Sequence, residues 1–324
     1  MKTFYSISRL NVINQCLYQA YITYIKKEKG LDNIYSILGS KIHKQLEKIV
    51  KNEASPQDLI KAMNEEIKYA DLMGFEFMSD QIKKNWITDM TYFCEHYQKP
   101  KGNFKAEEHI IYQSPKNNLV QGYVDLQRIN DDGSIDIYDY KTSAMYSKTS
   151  MLEHGRQLVV YALAKKQQRI NVRSVNWIML KYVTVTFYGL KTVKSKNKTY
   201  FTKNVEICKL GKEFADKLKN TMLFDGKDEI FVSLIIDNFI ETNEIPIDYR
   251  KDFRIEPCII NYELTNEVEQ ECIKYIDSTI EMWENLWEYP PNTEGNSFYC
   301  NTICPHRAIC EYKDTISEKD EELF

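Results

Sequence analysis

Apolar residues recur at intervals of three and four along the first hundred residues, which is the spacing of one helix face. The first such segment carries Leu10 and Leu17, and Ser8 is its predicted N-cap. A second helix is predicted over about 37–52, and the helical pattern continues from 55 to 100. We interpret this last stretch as a helical insertion.

The pattern then changes to alternation. Strands are predicted over 104–113, 119–129 and 135–141, because β-branched and aromatic residues alternate with polar ones there. An Asp-Asp-Gly sequence between the last two has the composition of a turn, so these strands form a predicted hairpin. If the loop has three or five residues, Asp125 and Asp139 face each other with Cβ atoms roughly 4.5–5.5 Å apart.

This hairpin carries polar residues where a core strand should have none. Lys141 lies two residues after Asp139 and therefore projects from the same face. Because two facing carboxylates repel each other, the arrangement favours a bound cation, and oxygen ligands suit Mg²⁺ or Mn²⁺. The alternative is a surface hairpin with solvated charges. Glu107 or Glu108 is a further candidate, although a solvated strand carboxylate is the commoner case.

A helix is predicted over about 151–168. Gln157 and Tyr161 are four residues apart, and His154 lies one turn earlier, so the three share one side of the helix. A glutamine buried among apolar side chains needs a hydrogen-bond partner, which the acidic face of the hairpin would supply. The alternative is an ordinary amphipathic helix with Gln157 in solvent.

The second half of the chain continues with a predicted strand over 175–186. Lysines then alternate with Tyr200 and Phe201, a composition that suits single-stranded DNA, with lysines on phosphates and rings stacked on bases. A solvated loop is the alternative. These lysines are Lys191, Lys194, Lys196, Lys198 and Lys203. The remaining predicted elements are helices over 211–223, 227–240 and 265–287 and a loop over 246–257. We interpret 185–260 as a variable insertion.

Composition narrows the class of protein. The chain has 324 residues, of which 43% are hydrophobic, enough for one large domain with insertions. No apolar run approaches the roughly 18–20 residues of a membrane span, and the first residues lack a signal-peptide apolar region. The net charge of −4 argues against a protein that coats nucleic acid but permits a local basic groove. We therefore expect a soluble, cytosolic protein.

Eight cysteines in a reducing cytosol favour metal binding over disulfides. Cys300, Cys304 and Cys310 supply three ligands of a site that normally needs four. Cys16, from the far end of the chain, or His306, within the cluster, can complete the set, the latter as a Cys₃His zinc site. A chance cluster is the remaining alternative. The other cysteines stand singly and are interpreted as structural, namely Cys94, Cys208, Cys258 and Cys272.

Together these segments resemble the RecB-like branch of the PD-(D/E)XK nucleases, in particular its iron–sulfur members, which include the nuclease domain of AddB and the CRISPR-associated exonucleases of the fourth Cas family. The matching segments occur in the family's order: YSISRLNVINQC, GSKIHKQLE, GYVD, DYKTS, GRQLVVYALA and the terminal cysteines. The resemblance implies one nuclease domain over 1–324. Its α/β core would be restriction-endonuclease-like, a mixed central sheet flanked by helices, with a cysteine cluster at 290–312 closing onto Cys16.

The resemblance also assigns roles by position. The implied metal ligands are His43, Asp125, Asp139 and the carbonyl of Tyr140, although a lone histidine beside an apolar stripe is more often a core residue. Lys141 would hold the attacking water or the scissile phosphate, and Gln157 and Tyr161 would orient the site and the DNA backbone. A [4Fe–4S] cluster would be held by Cys16, Cys300, Cys304 and Cys310. The chain departs from the family pattern in having C-x3-C-x5-C rather than C-x2-C-x5-C, and Leu17 where proline is frequent.

The activity that the resemblance implies is Mg²⁺- or Mn²⁺-dependent DNA cleavage, by an exonuclease acting on single strands or DNA ends in recombination, repair or phage replication. A structure-specific endonuclease is the alternative among enzymes, and a DNA-binding or scaffold subunit is the alternative outside them. No G-x4-G-K-[ST] sequence is present, so any helicase is expected to be a separate chain. The expected location is the bacterial cytoplasm, or the host cytoplasm for a phage-encoded protein.

Overall fold

The structure is a computed structural model and describes residues 3–317. Its strands are β1 (Phe4–Tyr5), β2 (Phe104–Gln113), β3 (Leu119–Ile129), β4 (Ile135–Lys141), β5 (Val172–Gly189), β6 (Thr199–Glu206) and β7 (Phe253–Tyr262). Its helices are α1 (Ile7–Gln15), α2 (Leu17–Ala20), α3 (Ile34–Val50), α4 (Gln57–Leu72), α5 (Asp80–His96), α6 (Met151–Gln167), α7 (Leu210–Phe224), α8 (Glu229–Thr242) and α9 (Asn266–Glu284). None of the helices in this range has the length and apolarity needed to cross a membrane.

The seven strands form one mixed sheet. The path through it is β1, β3, β4, β5 and β6, while β2 also pairs with β3 and β7 with β5. β4 and β5 are parallel and are joined through α6, and the pairs β2–β3, β3–β4, β5–β6 and β5–β7 are antiparallel. This is the mixed sheet flanked by helices that the resemblance implied.

Three apolar clusters pack against the sheet. α1, α6 and α9 cover one face, where Leu10, Leu158 and Ile276 are fully buried. α3, α4 and α5 pack in a second cluster together with Leu126 and Tyr140. A third cluster joins α7 and α8 to the distal half of β5 and to β6 and β7. β4 is therefore covered by helices on both faces, which fixes the direction of each of its side chains.

The central strands have the boundaries that alternation predicts, since 104–113, 119–129 and 135–141 coincide with β2, β3 and β4. The start of α1 differs from the prediction. Its N-cap is Ser6, whose hydroxyl accepts a backbone N–H of the first turn, and Ser8 lies inside the helix. The predicted N-cap was wrong because both serines precede the same apolar pattern.

The predicted loop over 246–257 is also wrong in its second half, which belongs to β7. Pro257 lies opposite Val183, where the register between β5 and β7 shifts. A proline is compatible with a strand at such an irregularity because no ladder hydrogen bond is required of it there. The proline therefore marks a bulge and not the end of a strand.

Candidate active site

The β3–β4 hairpin brings two aspartates to facing positions. Leu126 pairs with Tyr138 and the connecting loop has five residues, so the next step along the ladder sets Asp125 against Asp139. The Asp125 carboxylate accepts the backbone N–H of Tyr140 at 2.9 Å. The two aspartate side chains are 12% and 1% exposed. The structure thus has the hairpin register that the sequence predicted.

Lys141 lies beside these carboxylates. Its Nζ is 2.6 Å from Oδ2 of Asp139. Burial raises the pKa of Asp139 to about 6, and Asp125 adds to this increase while the Lys141 ammonium opposes it. Burial disfavours the charge of Lys141 as well, but the neighbouring carboxylates outweigh it and raise the pKa of Lys141. Lys141 is therefore a fixed positive charge at the site.

Helix α6 orients Lys141 through a short chain of hydrogen bonds. Lys141 Nζ donates to Oε1 of Gln157 at 3.0 Å, and Nε2 of Gln157 donates to the hydroxyl of Tyr161 at 2.6 Å. Gln157 therefore has the partner on the acidic face that its position in α6 predicted.

Gly122 lets the Tyr161 ring lie directly on β3. A Cβ atom added to Gly122 would come within 2.8 Å of Cε1 of Tyr161, closer than carbon atoms pack. The glycine of the GYVD sequence is therefore required for steric reasons, because a side chain there would push Tyr161 away from Gln157.

For the DNA cleavage that the resemblance implies, Gly122→Ala is expected to lower the rate by about tenfold or more, because small displacements of positioning groups are costly in catalysis. The measurement is a double-mutant cycle of DNA cleavage with Tyr161→Ala. In the Tyr161→Ala background the added methyl group has room, so it should have no further effect. A full additional loss in the double variant would contradict this role of the ring.

His43 projects from α3 toward the same carboxylates. Its Nδ1 lies 3.3 Å from Oδ2 of Asp125, and its side chain is 30% exposed. Burial alone would lower the pKa of His43, but the hydrogen bond and the charge of Asp125 outweigh burial and raise it. The histidine is therefore a partner of Asp125 at the mouth of the site and not an apolar core residue.

Glu107 borders the site in a way that the strand pattern did not predict. Its backbone has a φ of 52°, the left-handed region, in the middle of β2, and the pairing of β2 with β3 is interrupted at this residue, next to Asp125. Burial raises the pKa of Glu107, and the charges of Asp125 and Glu47 add to the effect. Such distortions occur next to active sites, where they redirect a side chain. Alternation of residue types carries no signal for them.

Tyr146 is a residue of the site that the sequence analysis did not name. It lies in the connector after β4, where its ring stacks on His154 with centroids 4.0 Å apart. Burial raises the pKa of Tyr146, and the nearby charge of Lys141 offsets only part of this increase. His154 therefore packs against Tyr146 and is not one of the groups bonded to Gln157. The sequence feature that could have pointed to Tyr146 is a lone tyrosine in a polar connector.

Glu108 is engaged elsewhere. Its carboxylate lies 2.8 Å from Nζ of Lys165, whose side chain is 2% exposed, and it also accepts the side-chain amide of Gln127. Of the two glutamates considered as candidates, only Glu107 therefore borders the facing aspartates.

Removal of Glu108 should destabilise the protein. Glu108→Ala leaves the Lys165 ammonium buried without a counter-charge, which we expect to lower the free energy of unfolding by about 2–4 kcal/mol. Denaturant unfolding measures this, with Glu281→Ala as control, since Glu281 forms an exposed pair with Lys116 and its removal should have little effect on stability. Lys165→Met in the Glu108→Ala background should restore most of the lost free energy of unfolding. If Glu108→Ala and Glu281→Ala destabilise the protein equally, the pair of Glu108 with Lys165 does not contribute as a buried ion pair.

His43, Asp125 and Asp139, which we call the acidic patch, form a donor set of one imidazole and two carboxylates. Such donors suit a divalent cation such as Mn²⁺ or Mg²⁺. Within residues 3–317, the ligand atoms of these three side chains do not all come within 4.8 Å of one another. Asp139 is paired with Lys141 instead. A bound ion would compete with Lys141 for this carboxylate.

Metal binding should therefore depend on pH. Because the pKa of Asp139 is raised to about 6, a proton occupies this ligand below that pH and must leave when the ion binds. His43, another ligand of the ion, also carries a proton at low pH, because its pKa is raised. We expect the Mn²⁺ affinity to fall as the pH decreases through 7, and by up to about a hundredfold per pH unit below pH 6, where both ligands are protonated. Calorimetric titration from pH 5 to 8 measures it, and an unchanged affinity over this range would contradict the assignment of Asp139.

The four cysteines singled out by the resemblance meet in space. Cys16, Cys300, Cys304 and Cys310 line one small cavity between the N-terminal helices and the segment that follows α9. Burial raises the pKa of Cys304 to about 11, so its thiol is protonated in the absence of a cation. His306, the alternative ligand, lines the same cavity; its Nε2 is 2.8 Å from the Thr23 hydroxyl, and its Nδ1 is buried without a hydrogen-bond partner among the described residues. The cavity therefore offers four sulfur donors and one ring nitrogen.

The lysines proposed for DNA contact lie apart from the acidic patch. Lys191, Lys194 and Lys196 are exposed in the turn between β5 and β6, whereas Lys198 lies 3.6 Å from Asp252. The turn is roughly 30 Å along β5 from the level of Lys141, at ~3.3 Å per residue.

The aromatic residues beside these lysines have different environments. Tyr200 is 57% exposed. Phe201 packs against Phe187 in the third apolar cluster, with ring centroids 4.9 Å apart. Base stacking by Phe201 is therefore excluded, and Tyr200 stays available.

The whole chain was compared with known proteins. A model of the PD-(D/E)XK nuclease superfamily matches residues 5–311. No curated protein matches significantly. A solved structure titled "Crystal structure of SSO0001" is similar over 97% of this chain and 88% of its own, with 13% sequence identity and a TM-score of 0.35. Because the family match spans nearly the whole chain and contains the acidic patch and Lys141, the chain belongs to the PD-(D/E)XK nuclease superfamily, whose members hydrolyse phosphodiester bonds.

Proposed function

We propose that this protein is a divalent-metal-dependent deoxyribonuclease that acts as an exonuclease on single-stranded DNA or DNA ends. The observation that carries the proposal is the convergence of Lys141 with the acidic patch. A binding surface for DNA has no need of two facing carboxylates that repel phosphate, whereas a metal-dependent hydrolase does. The preference for ends is supported by the resemblance to the exonuclease branch of the family.

In the proposed mechanism, Mg²⁺ or Mn²⁺ held by the acidic patch and the Tyr140 carbonyl would supply a water of lowered pKa and polarise a phosphoryl oxygen. Lys141 directs its ammonium to the place where negative charge develops, or orients the attacking water. Gln157 fixes the direction of that ammonium by accepting from it. Tyr161 in turn fixes the amide of Gln157 and borders the path of the DNA backbone.

The proposal is tested by digestion of end-labelled single-stranded DNA with Mn²⁺ or Mg²⁺, against EDTA. Metal-dependent cleavage that starts from the labelled or the opposite end supports an exonuclease. Cleavage of circular single-stranded DNA, which has no ends, would replace the exonuclease with an endonuclease. Binding without cleavage in excess Mn²⁺ would replace the enzyme with a DNA-binding or scaffold subunit.

We further propose that the cysteine cavity holds a [4Fe–4S] cluster, with structural zinc as the alternative. The proposal is supported by the four thiols that line one cavity, a ligand set that suits both a [4Fe–4S] cluster and tetrahedral zinc. The resemblance to the iron–sulfur members of the family favours the cluster. The visible spectrum of anaerobically purified protein tests this, since a broad absorption marks the cluster and a colourless, zinc-containing sample excludes it.

The proposed setting is DNA recombination, repair or phage replication, in the cytoplasm of a bacterium or of a phage host. The lysines at the β5–β6 turn, Lys191, Lys194, Lys196 and Lys198, are proposed contacts to the DNA phosphates. Any unwinding would come from a separate helicase.

A further inference from the structure

Three metal-binding side chains meet outside the acidic patch and the cysteine cavity. Asp89 comes from α5, Glu206 from the end of β6, and Cys208 from the 3₁₀ turn that follows it. One ligand atom from each lies within 4.8 Å of the other two, and no other histidine, cysteine and carboxylate group in residues 3–317 is this compact. Oxygen and sulfur ligands of one tetrahedral ion are about 3.4–3.8 Å apart, so small side-chain rotations would complete the site.

Asp89 has one carboxylate oxygen without a partner in residues 3–317. Its side chain is completely buried, and its Oδ1 accepts the backbone N–H of Cys208 at 2.7 Å. Its Oδ2 is buried without a hydrogen-bond partner, and no basic side chain in the described part of the chain lies within ion-pair distance of it. A buried carboxylate with an unused oxygen is costly unless a cation or a donor reaches it.

The two neighbouring lysines act on Glu206 and not on Asp89. Nζ of Lys209 lies 2.8 Å from one oxygen of Glu206 and Nζ of Lys181 lies 3.4 Å from the other. Each carboxylate oxygen has two acceptor sites, so these contacts leave Glu206 able to bind an ion as well. Lys209 is largely exposed and can move away, since its side-chain exposure is 55%.

We propose that Asp89, Glu206 and Cys208 bind a divalent transition-metal ion, with Zn²⁺ as the best match. A thiolate beside two carboxylates suits zinc, whereas Mg²⁺ and Ca²⁺ avoid sulfur. The ion ties α5 to the junction of β6 and α7, which otherwise meet through few polar contacts. Its role is structural, because metal affinity at such a junction adds directly to the stability of the fold. This site is independent of the nuclease proposal.

The test is the zinc content of the full-length protein as purified, after addition of Zn²⁺ and removal of unbound zinc by gel filtration. Cys208→Ser and Asp89→Asn should each contain one equivalent less zinc than the wild type. Cys94→Ser is the matched control, since Cys94 is a buried thiol on the same helix α5 that contacts Met63 instead. Metal in the cysteine cavity is common to all variants and cancels in the difference. Equal zinc content in wild type and both site variants overturns the proposal.

A variant that does not fold would give no valid zinc content, so two further measurements are included. Glu206→Gln keeps the shape of the side chain and should lose the same equivalent while its circular dichroism stays that of the wild type. Added Zn²⁺ should raise the melting temperature of the Cys94→Ser control and the wild type equally, and that of Glu206→Gln by less. A zinc-induced increase of the same size in Glu206→Gln overturns the proposal.

Discussion

Lys141→Ala is expected to lower the rate of DNA cleavage by at least about 10²-fold, the scale of one preorganised electrostatic donor. The ammonium group of Lys141 lies in a fixed position, 2.6 Å from Asp139 and 3.0 Å from Gln157. Its removal takes away positive charge from the place where the transition state gathers negative charge. Single-turnover cleavage with saturating Mn²⁺ measures the effect on chemistry without the effect on binding.

Metal binding should survive the same substitution. Without Lys141 the Asp139 carboxylate is free to turn toward an ion, so Mn²⁺ affinity is expected to stay equal or to increase. Lys105→Ala is the control, because Lys105 is an exposed lysine on the neighbouring β2. If Lys141→Ala cleaves DNA as fast as Lys105→Ala, Lys141 has no part in catalysis.

Cys304→Ser is expected to abolish binding of the proposed group in the cysteine cavity and to remove most of the stability of the fold. Cys304 lies in this cavity with Cys16 and two other thiols, so one substitution leaves an incomplete ligand set. Binding free energy at a structural metal site is folding free energy, on the order of 10 kcal/mol for zinc. That is comparable with the whole stability of a typical domain, roughly 5–15 kcal/mol. Thermal unfolding and metal analysis of the purified variant measure both losses.

The control for this variant is Cys258→Ser. Cys258 is also a buried thiol, on β7, but it lies outside the cavity. Burial of its hydroxyl should cost about 1–3 kcal/mol and leave the metal content unchanged. Similar melting temperatures and metal contents for the two serine variants would show that the thiols of the cavity pack together without binding a metal or a cluster.

The part of the site that rests on short-range patterns could be predicted from the sequence. Alternation and a turn sequence fixed the limits of β3 and β4, and the odd loop length placed Asp125 against Asp139. A polar Gln157 in an apolar helix pointed to a polar partner, which is Lys141. In each case the constraint, which is strand alternation, loop length or helix periodicity, acts within one hairpin or one helix. Residues that are close in sequence are therefore enough to reveal it.

The features that were missed depend on the tertiary structure. The left-handed backbone of Glu107 is imposed by its surroundings and not by its residue type. Asp89 lies on the inward face of α5 between Trp86 and Met90, and this charge in an apolar stripe was a usable signal. Its partner Cys208 is more than a hundred residues away, and no local pattern joins the two. Long-range partners of this kind need the fold before they can be named.

The contact between the two ends of the chain has a consequence for protein synthesis. The backbone N–H of Tyr18 donates to the carbonyl of Pro290, and that of Leu31 to the carbonyl of Pro305. At ~5–20 residues per second, the ribosome finishes these partners roughly 15–60 s after the N-terminal helices. A nascent chain that stops after α9 already carries the acidic patch, but Tyr18 and Leu31 then lack these partners for their backbone N–H groups. Chains interrupted there should be cut by proteases faster than chains that include 290–305, so a durable fold exists only after this segment has been translated.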